Sequence, residues 1–326
     1  MIEVNGLVKL FGDRKVLHNL NFTVGSGRIC GFLGPNGSGK STTMDILAGL
    51  LGPSSGEVKI CGFNVVTHAK QVKEQVGYLP DNPPLYKEMR VKEFVTYVAK
   101  LRGIDSNERK SEVDRVIEEC DVADVANRII GNLSKGYRQR VALCSALVHK
   151  PNVLILDEPT EGLDPNQILH IRKLIKKLAK ERTVILSSHI LSEVQATCDE
   201  VIIINQGHIA AKTPIHSDTS KPAFYLYTFA SKAENALHWF QQRNYVKSAK
   251  PMSQKLNSIL VEFGNEFWTE RNNESIANVT EQIVQQNFPL IGIEEKKEGL
   301  EELFFEVIRS QPGHHQVQIS PSGELL

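Results

Sequence analysis

The stretch Gly34-Pro35-Asn36-Gly37-Ser38-Gly39-Lys40-Ser41 fits the spacing G-x-x-x-x-G-K-[ST] without a mismatch, and each residue type in it has a use at a polyphosphate. Glycines at 34, 37 and 39 let successive backbone N–H groups turn inward toward an anion. Lys40 adds a point charge, and Ser41 offers a hydroxyl to the Mg²⁺ that accompanies the phosphates. A helix starting at Lys40 and continuing through Thr42 aims the positive end of its dipole at the same anion. An accidental glycine-rich turn would not need a strand before it and a helix after it. Here residues 28–33 read as a short buried strand, and residues 42–50 keep helical spacing until Gly52-Pro53 stops it.

Two carboxylates, Asp157 and Glu158, close the apolar run Val153-Leu154-Ile155-Leu156, as expected of a buried parallel strand that delivers acids to the edge of a sheet. Neighbouring side chains on a strand point opposite ways, so Glu158 serves the same site only if the strand ends and turns there. Paired acids also cap helices, but Asp-Glu-Pro-Thr after four apolar residues is the more specific signal. His189 follows Ser187-Ser188 at the end of another buried strand. Phe11 precedes the polar turn Gly12-Asp13-Arg14-Lys15, where an aromatic either stacks on a base or ends a strand in the core. The run Leu133-Ser134-Lys135-Gly136-Tyr137-Arg138-Gln139-Arg140 opens a helix that Ser134 is placed to cap and that Pro151 closes.

The elements that position these residues follow from periodicity. Residues 2–24 read as an antiparallel hairpin, 57–61 and 76–80 as strands, and Asp81 opens a polar, proline-rich loop. Apolar residues at 91, 94, 95, 98 and 101, and at 113, 116, 117 and 120, predict two amphipathic helices that interrupt the α/β alternation. Further helices are expected over 168–180 and 191–197, and a closing hairpin over 201–211. Periodicity lapses at 212–222, which sets a domain boundary. Residues 223–310 then read as strand, helix, two strands, helix, strand and helix, a ferredoxin-like or split βαβ module. The polar stretch 311–326 reads as a disordered tail, with His314-His315 as solvated residues.

With 326 residues, 41% of them hydrophobic and 23% charged, the chain has the composition of a soluble globular protein of one large or two ordinary domains. Lys plus Arg and Asp plus Glu stand at 38 each, so no nucleic-acid partner is expected. The five scattered cysteines form no C-x-x-C pair, which suits a reducing cytoplasm. The start Met1-Ile2-Glu3-Val4 has no signal-peptide pattern, and the longest apolar runs fall far short of the ~20 residues that span a bilayer.

Taken in order, residues 34–41, 133–140, 153–160, Gly162-Leu163-Asp164 and His189 resemble the nucleotide-binding subunit of an ATP-binding cassette (ABC) transporter, over about residues 1–215. The form L-S-K-G-Y-R-Q-R, the run Gly77-Tyr78-Leu79-Pro80 and the late Leu300-Glu301-Glu302-Leu303-Phe304 are similar to its exporter-type, multidrug or gliding-motility branch.

The resemblance implies an α/β P-loop NTPase of ABC type over 1–215, with an antiparallel β subdomain and a helical subdomain at about 82–150. A small α+β accessory domain at 216–310 follows it. It implies ATP as substrate with Mg²⁺, residues 34–42 and a stacking Phe11 as the nucleotide site, and Ser41, Asp157 and Asp81 around the metal. Glu158 would polarise the attacking water and His189 would orient it. Ser134 and Gly136 would belong to a signature motif that contacts the γ-phosphate held on a second copy or a homologous subunit. Polytopic permease subunits would place the chain on the inner face of the cell membrane. The sequence departs from the family's L-S-G-G-Q at Lys135 and Tyr137, and puts Asp81 where the family has a coupling glutamine. A soluble cassette ATPase acting on DNA or ribosomes would show paired cassettes, a coiled-coil insertion or a basic face. A nucleotide switch with little turnover would not need Glu158 and His189.

Overall fold

The computed structural model describes residues 1–215, 224–231, 233–252, 255–264, 267, 276–296 and 304. It forms two compact units, one built on Met1–His216 and the other on Ser217–Glu306. The first runs β1 (Ile2–Phe11), β2 (Arg14–Val24), β3 (Ile29–Leu33), α1 (Lys40–Leu47), β4 (Ser55–Ile60), β5 (Phe63–Asn64), α2 (Ala69–Gln75), β6 (Val76–Leu79), α3 (Val91–Leu101), α4 (Ser106–Glu119), α5 (Lys135–Leu147), β7 (Val153–Leu156), α6 (Pro165–Leu178), β8 (Thr183–Ser188), α7 (Leu191–Thr197), β9 (Glu200–Asn205) and β10 (His208–Pro214).

These strands make an antiparallel sheet of order β2-β1-β4-β5 and a six-stranded sheet of order β10-β9-β3-β8-β7-β6. In the second sheet β9, β3, β8, β7 and β6 are parallel, and only β10 runs antiparallel to its neighbour. Every residue of β3, β7 and β8 is buried, which is why these strands are largely apolar runs rather than alternating ones. The two sheets share one core: Ile2, Val4, Leu7 and Val58 from the antiparallel sheet pack with Met44 and Leu47 of α1 and with Phe32, Ile155 and Ile185.

The helical interruption is α3, α4 and α5. Val113, Val116 and Ile117 of α4 are buried as their spacing predicts. In α3 the expected stripe shifts: Val91, Phe94, Val95 and Ala99 are buried, whereas Leu101 is 68% exposed. Helix α6 begins at Pro165 rather than at 168, because the Asp164 carboxylate accepts from the Gln167 N–H at 2.9 Å and proline suits the first helical position. Neither β5 nor α2 shows a clear periodicity in the sequence. No helix among the described residues is long and apolar enough to cross a membrane.

The second unit is β11 (Phe224–Phe229), α8 (Glu234–Gln241), β12 (Val246–Met252), β13 (Lys255–Phe263), α9 (Ile276–Gln285) and β14 (Leu290–Lys296), with an antiparallel sheet of order β12-β13-β11-β14. This βαββαβ sequence with the first strand beside the last is the ferredoxin-like arrangement. Alternate residues Tyr225, Tyr227 and Phe229 of β11 and Ile259, Val261 and Phe263 of β13 face one core with Trp239, Phe240, Val279 and Ile283. The helix expected over 300–309 and the tail over 311–326 lie outside the described residues, Phe304 excepted.

Candidate functional site

The loop from β3 into α1 is shaped by two glycines with separate reasons. A Cβ on Gly34 would sit 2.2 Å from the Ile204 carbonyl oxygen and 2.7 Å from Ser38 Oγ, so no side chain fits where the loop leaves the sheet. Gly39 holds φ +106, a conformation that L side chains rarely adopt, and from there α1 starts with its N–H groups facing the loop's interior. Ser38 Oγ is buried with no hydrogen-bond partner among the described residues, a polar atom awaiting one.

Lys40 is 5% exposed. Its ammonium donates to the Gly34 carbonyl at 2.9 Å and the Pro35 carbonyl at 3.3 Å, and lies 3.3 Å from Glu158 Oε1. Glu158 Oε2 meets His189 Nδ1 at 3.1 Å. Glu158 has φ +46, so the chain does turn at the second acid. Burial alone would raise the Glu158 carboxyl, but the His189 hydrogen bond and the Lys40 charge hold it below the ordinary carboxylate range. The same hydrogen bond to Glu158 raises the His189 imidazole, against its burial.

Ser187 Oγ donates to Asp157 Oδ1 at 2.6 Å and accepts from the Glu158 N–H at 2.8 Å, so one serine fixes both acids. Burial raises the Asp157 carboxyl, opposed by hydrogen bonds from Ser187 and Ser41. A buried carboxylate beside a hydroxyl, joined to no basic side chain among the described residues, is a hard-oxygen donor set of the kind Mg²⁺ takes when phosphates supply the rest. Ser41 and Asp157 therefore fit that ion.

Lys40, Ser41 and Glu158 border an open cavity of about 450 Å³, whereas Asp157 and His189 stand behind its wall, held by Ser187 and Glu158 respectively. Asn36, Gly37, Gly39, Lys40, Ser41 and Thr42 line it on one side, together with Phe11, Arg14, Asp81, Glu158 and Glu161 from other segments. Phe11 ends β1 at 50% exposure, with Lys9 Nζ 5.0 Å from its ring centroid; it is a rim residue, not a core one. Asp81 accepts from the Asn82 amide at 2.9 Å and faces Glu161, whose carboxyl is raised by burial and by the Asp81 charge. Arg14, Glu161 and Ser187 carried no motif in the sequence. Arg14 was legible only as a cation in the turn after Phe11, and Glu161 only as an acid beside Gly162.

Ser134 and Gly136 are not brought to this cavity. They line a separate one, also about 450 Å³, with Asp121, Asp124, Tyr137, Asp164 and Gln167 among its walls. Ser134 caps α5 by accepting from the Tyr137 N–H at 3.4 Å. A Cβ on Gly136 would lie 2.7 Å from the Gln167 side chain, so α5 packs directly on α6 at that glycine. Tyr137, in the family's glutamine position, donates its hydroxyl to Asp124 at 2.6 Å and carries the Arg140 guanidinium 4.2 Å from its ring centroid.

The ABC transporter family model matches residues 17–161. The bacitracin transport ATP-binding protein BcrA of Bacillus licheniformis is 37% identical over 244 residues, 74% of this chain and 79% of that protein. The ABC transporter ATP-binding protein YdbJ of Bacillus subtilis (strain 168) is 32% identical over 318 residues, 97% of either chain. Among solved structures, cbiO1 of Clostridium perfringens, part of the ABC transporter complex cbiONQ, superposes with TM-score 0.61 at 29% identity over 66% of this chain and 88% of its own. The chain belongs to the ABC transporter ATP-binding family. It is an ATPase subunit of that family, with the cassette fold.

Proposed function

We propose that this subunit hydrolyses MgATP between two copies of itself, or between itself and a homologous subunit, and drives export through separate membrane-spanning chains. The observation that carries the reading is the meeting of Lys40, Glu158 and His189 from three segments, with Lys40 and Glu158 lining one cavity while Ser134 and Gly136 line another. Residues 34–42 bind the triphosphate, Lys40 faces its β- and γ-phosphates, and Phe11 stacks on the adenine. Ser41 and Asp157 hold Mg²⁺, with Asp81 near it; when bound, the ion neutralises charge on the phosphate oxygens. Glu158 takes the proton of the attacking water and His189 orients that water and contacts the γ-phosphate. The cap of α5, at Ser134 and Gly136, meets the γ-phosphate bound to the other copy, which makes each site a product of two chains. The exporter branch is supported by the form L-S-K-G-Y-R-Q-R, and a permease partner would hold the subunit at the inner face of the membrane.

Glu158→Gln tests this. It should keep ATP binding, slow phosphate release by the ~10²–10⁴-fold of a lost general base, and accumulate an ATP-loaded dimer in gel filtration. A mutant that stays monomeric with normal turnover would overturn both the base and the shared site.

A further inference from the structure

Glu193, in the first turn of α7, is 6% exposed and joins no ion pair among the described residues. Its Oε2 accepts from Thr160 Oγ1, and from the Ser188 hydroxyl at 3.4 Å. Thr160 lies two residues past Glu158, and Ser188 immediately precedes His189. One carboxylate oxygen therefore joins the loop that carries the acid to the loop that carries the histidine. Ser188 extends the link, since its carbonyl accepts from the Gly34 N–H at 3.3 Å and its hydroxyl from the Ile190 N–H at 3.0 Å.

Two physical points give this link a use beyond packing. Glu158 sits at φ +46, and a strained residue persists only when its surroundings over-determine it. The Ser187 hydroxyl fixes the loop at the Glu158 N–H, and the Glu193 carboxylate fixes it two residues later. A carboxylate withdrawn from water and met here by hydroxyl donors is costly, and an apolar side chain of similar volume would fill the space at less cost.

We propose that Glu193 is a positioning residue for hydrolysis: it clamps Thr160 to Ser188 and so keeps Glu158 in register with His189. The proposal rests on Glu158 as the base and on the Glu158–His189 contact of 3.1 Å.

The experiment uses Thr160→Val, which deletes the donor at constant shape, together with Glu193→Met and Glu193→Gln in the full chain. Thr160→Val and Glu193→Met should lower kcat about 10- to 100-fold, the loss brought by a misplacement of ~1 Å, with KM and ATP affinity changed by less than about twofold. Glu193→Gln, whose amide oxygen still accepts, should recover most of the rate. In single turnover, Thr160→Val added to Glu158→Gln should leave the residual rate unchanged, because no base remains to position. A Thr160→Val protein with wild-type kcat, or one that slows Glu158→Gln as much as it slows the wild type, would overturn the proposal. If Glu193→Met fails to fold, the Thr160→Val pair decides alone. Wild-type turnover by Glu158→Gln itself would remove the base, and the role of Glu193 with it, whatever the other variants do.

Discussion

Among the described residues of the first unit, Lys40, Asp157, Glu158, Thr160, Arg182, Ser187, Ser188 and Glu193 are all withdrawn from water, whereas among those of the second unit Ser258 is the buried polar residue. Both units are sheets covered by helices, so the difference lies in where polar groups enter. In the parallel sheet, β3, β7 and β8 end side by side, and the loops beyond their C-terminal ends carry Lys40, Glu158 and His189 into mutual contact. In the antiparallel sheet of the second unit the inward positions all along the strands hold rings: Tyr227 lies 4.8 Å from Phe240, and Phe263 stacks on Phe267 at 4.2 Å between centroids. Strand ends supply chemistry in one unit; inward strand faces supply packing in the other.

Lys40→Ala is the strongest attack on that contrast. It should weaken ATP binding about 10- to 100-fold, the worth of a charge-assisted hydrogen bond at about 1.5–3 kcal/mol, read by nucleotide fluorescence. The melting temperature without nucleotide should fall too. The ammonium is buried, holds two loop carbonyls and leaves Glu158 with only His189 when it is removed. Unchanged affinity would mean that the buried charges of the first unit are not a nucleotide site.

Removing the second unit should do far less. A chain ending after His216 should bind ATP as the full chain does, because every residue of the cavity precedes it. Cutting after Ala211 is a harsher test than periodicity suggests, since β10 continues to Pro214 and the Ile215 N–H donates to the Asp199 carbonyl at 2.8 Å. Loss of ATP binding in a truncation at His216 that still melts cooperatively would break the division of labour between the units.

How much of this was legible depends on whether spacing along the chain equals spacing in the site. Gly34 to Ser41 act as neighbours on one turn, so their chemistry could be read directly, and Asp157-Glu158 could be read with the requirement that the strand turn at Glu158. The fold was legible for the same reason: the runs that became β3, β7 and β8 are largely apolar rather than alternating because both faces are covered. Glu193 was not legible, because its partners Thr160 and Ser188 meet it only after two strands pair. Glu161 was hidden likewise, since its neighbour Asp81 is brought by β6. Helix α6 had its signal in Asp164-Pro165, a cap and a first-turn proline, but the apolar spacing counted from Ile168 suggested a later start. Leu101 continued the apolar period of α3 and yet lies exposed, since a helical stripe says which side is apolar and not where the neighbouring helix ends.

The smallest effect sharpens the comparison from the packing side. Tyr227 has no exposed surface, and its hydroxyl has no hydrogen-bond partner among the described residues; burial pushes the phenol up, with Tyr225 and Tyr245 adding to it. If the second unit is organised around ring packing alone, that oxygen is a cost carried by its core. Tyr227→Phe keeps the ring against Phe240 and deletes the orphan group, a change that is neutral or stabilising when no partner is lost. The expected gain is at most about 1 kcal/mol, or about 4–8 °C in the melting of a unit this size, with ATP turnover unaltered. A loss of stability instead would mean that the hydroxyl is bonded through water, and that the second unit also buries a polar link. A change in turnover would show that this core reaches the nucleotide site, and the two units would then have to be treated as one device.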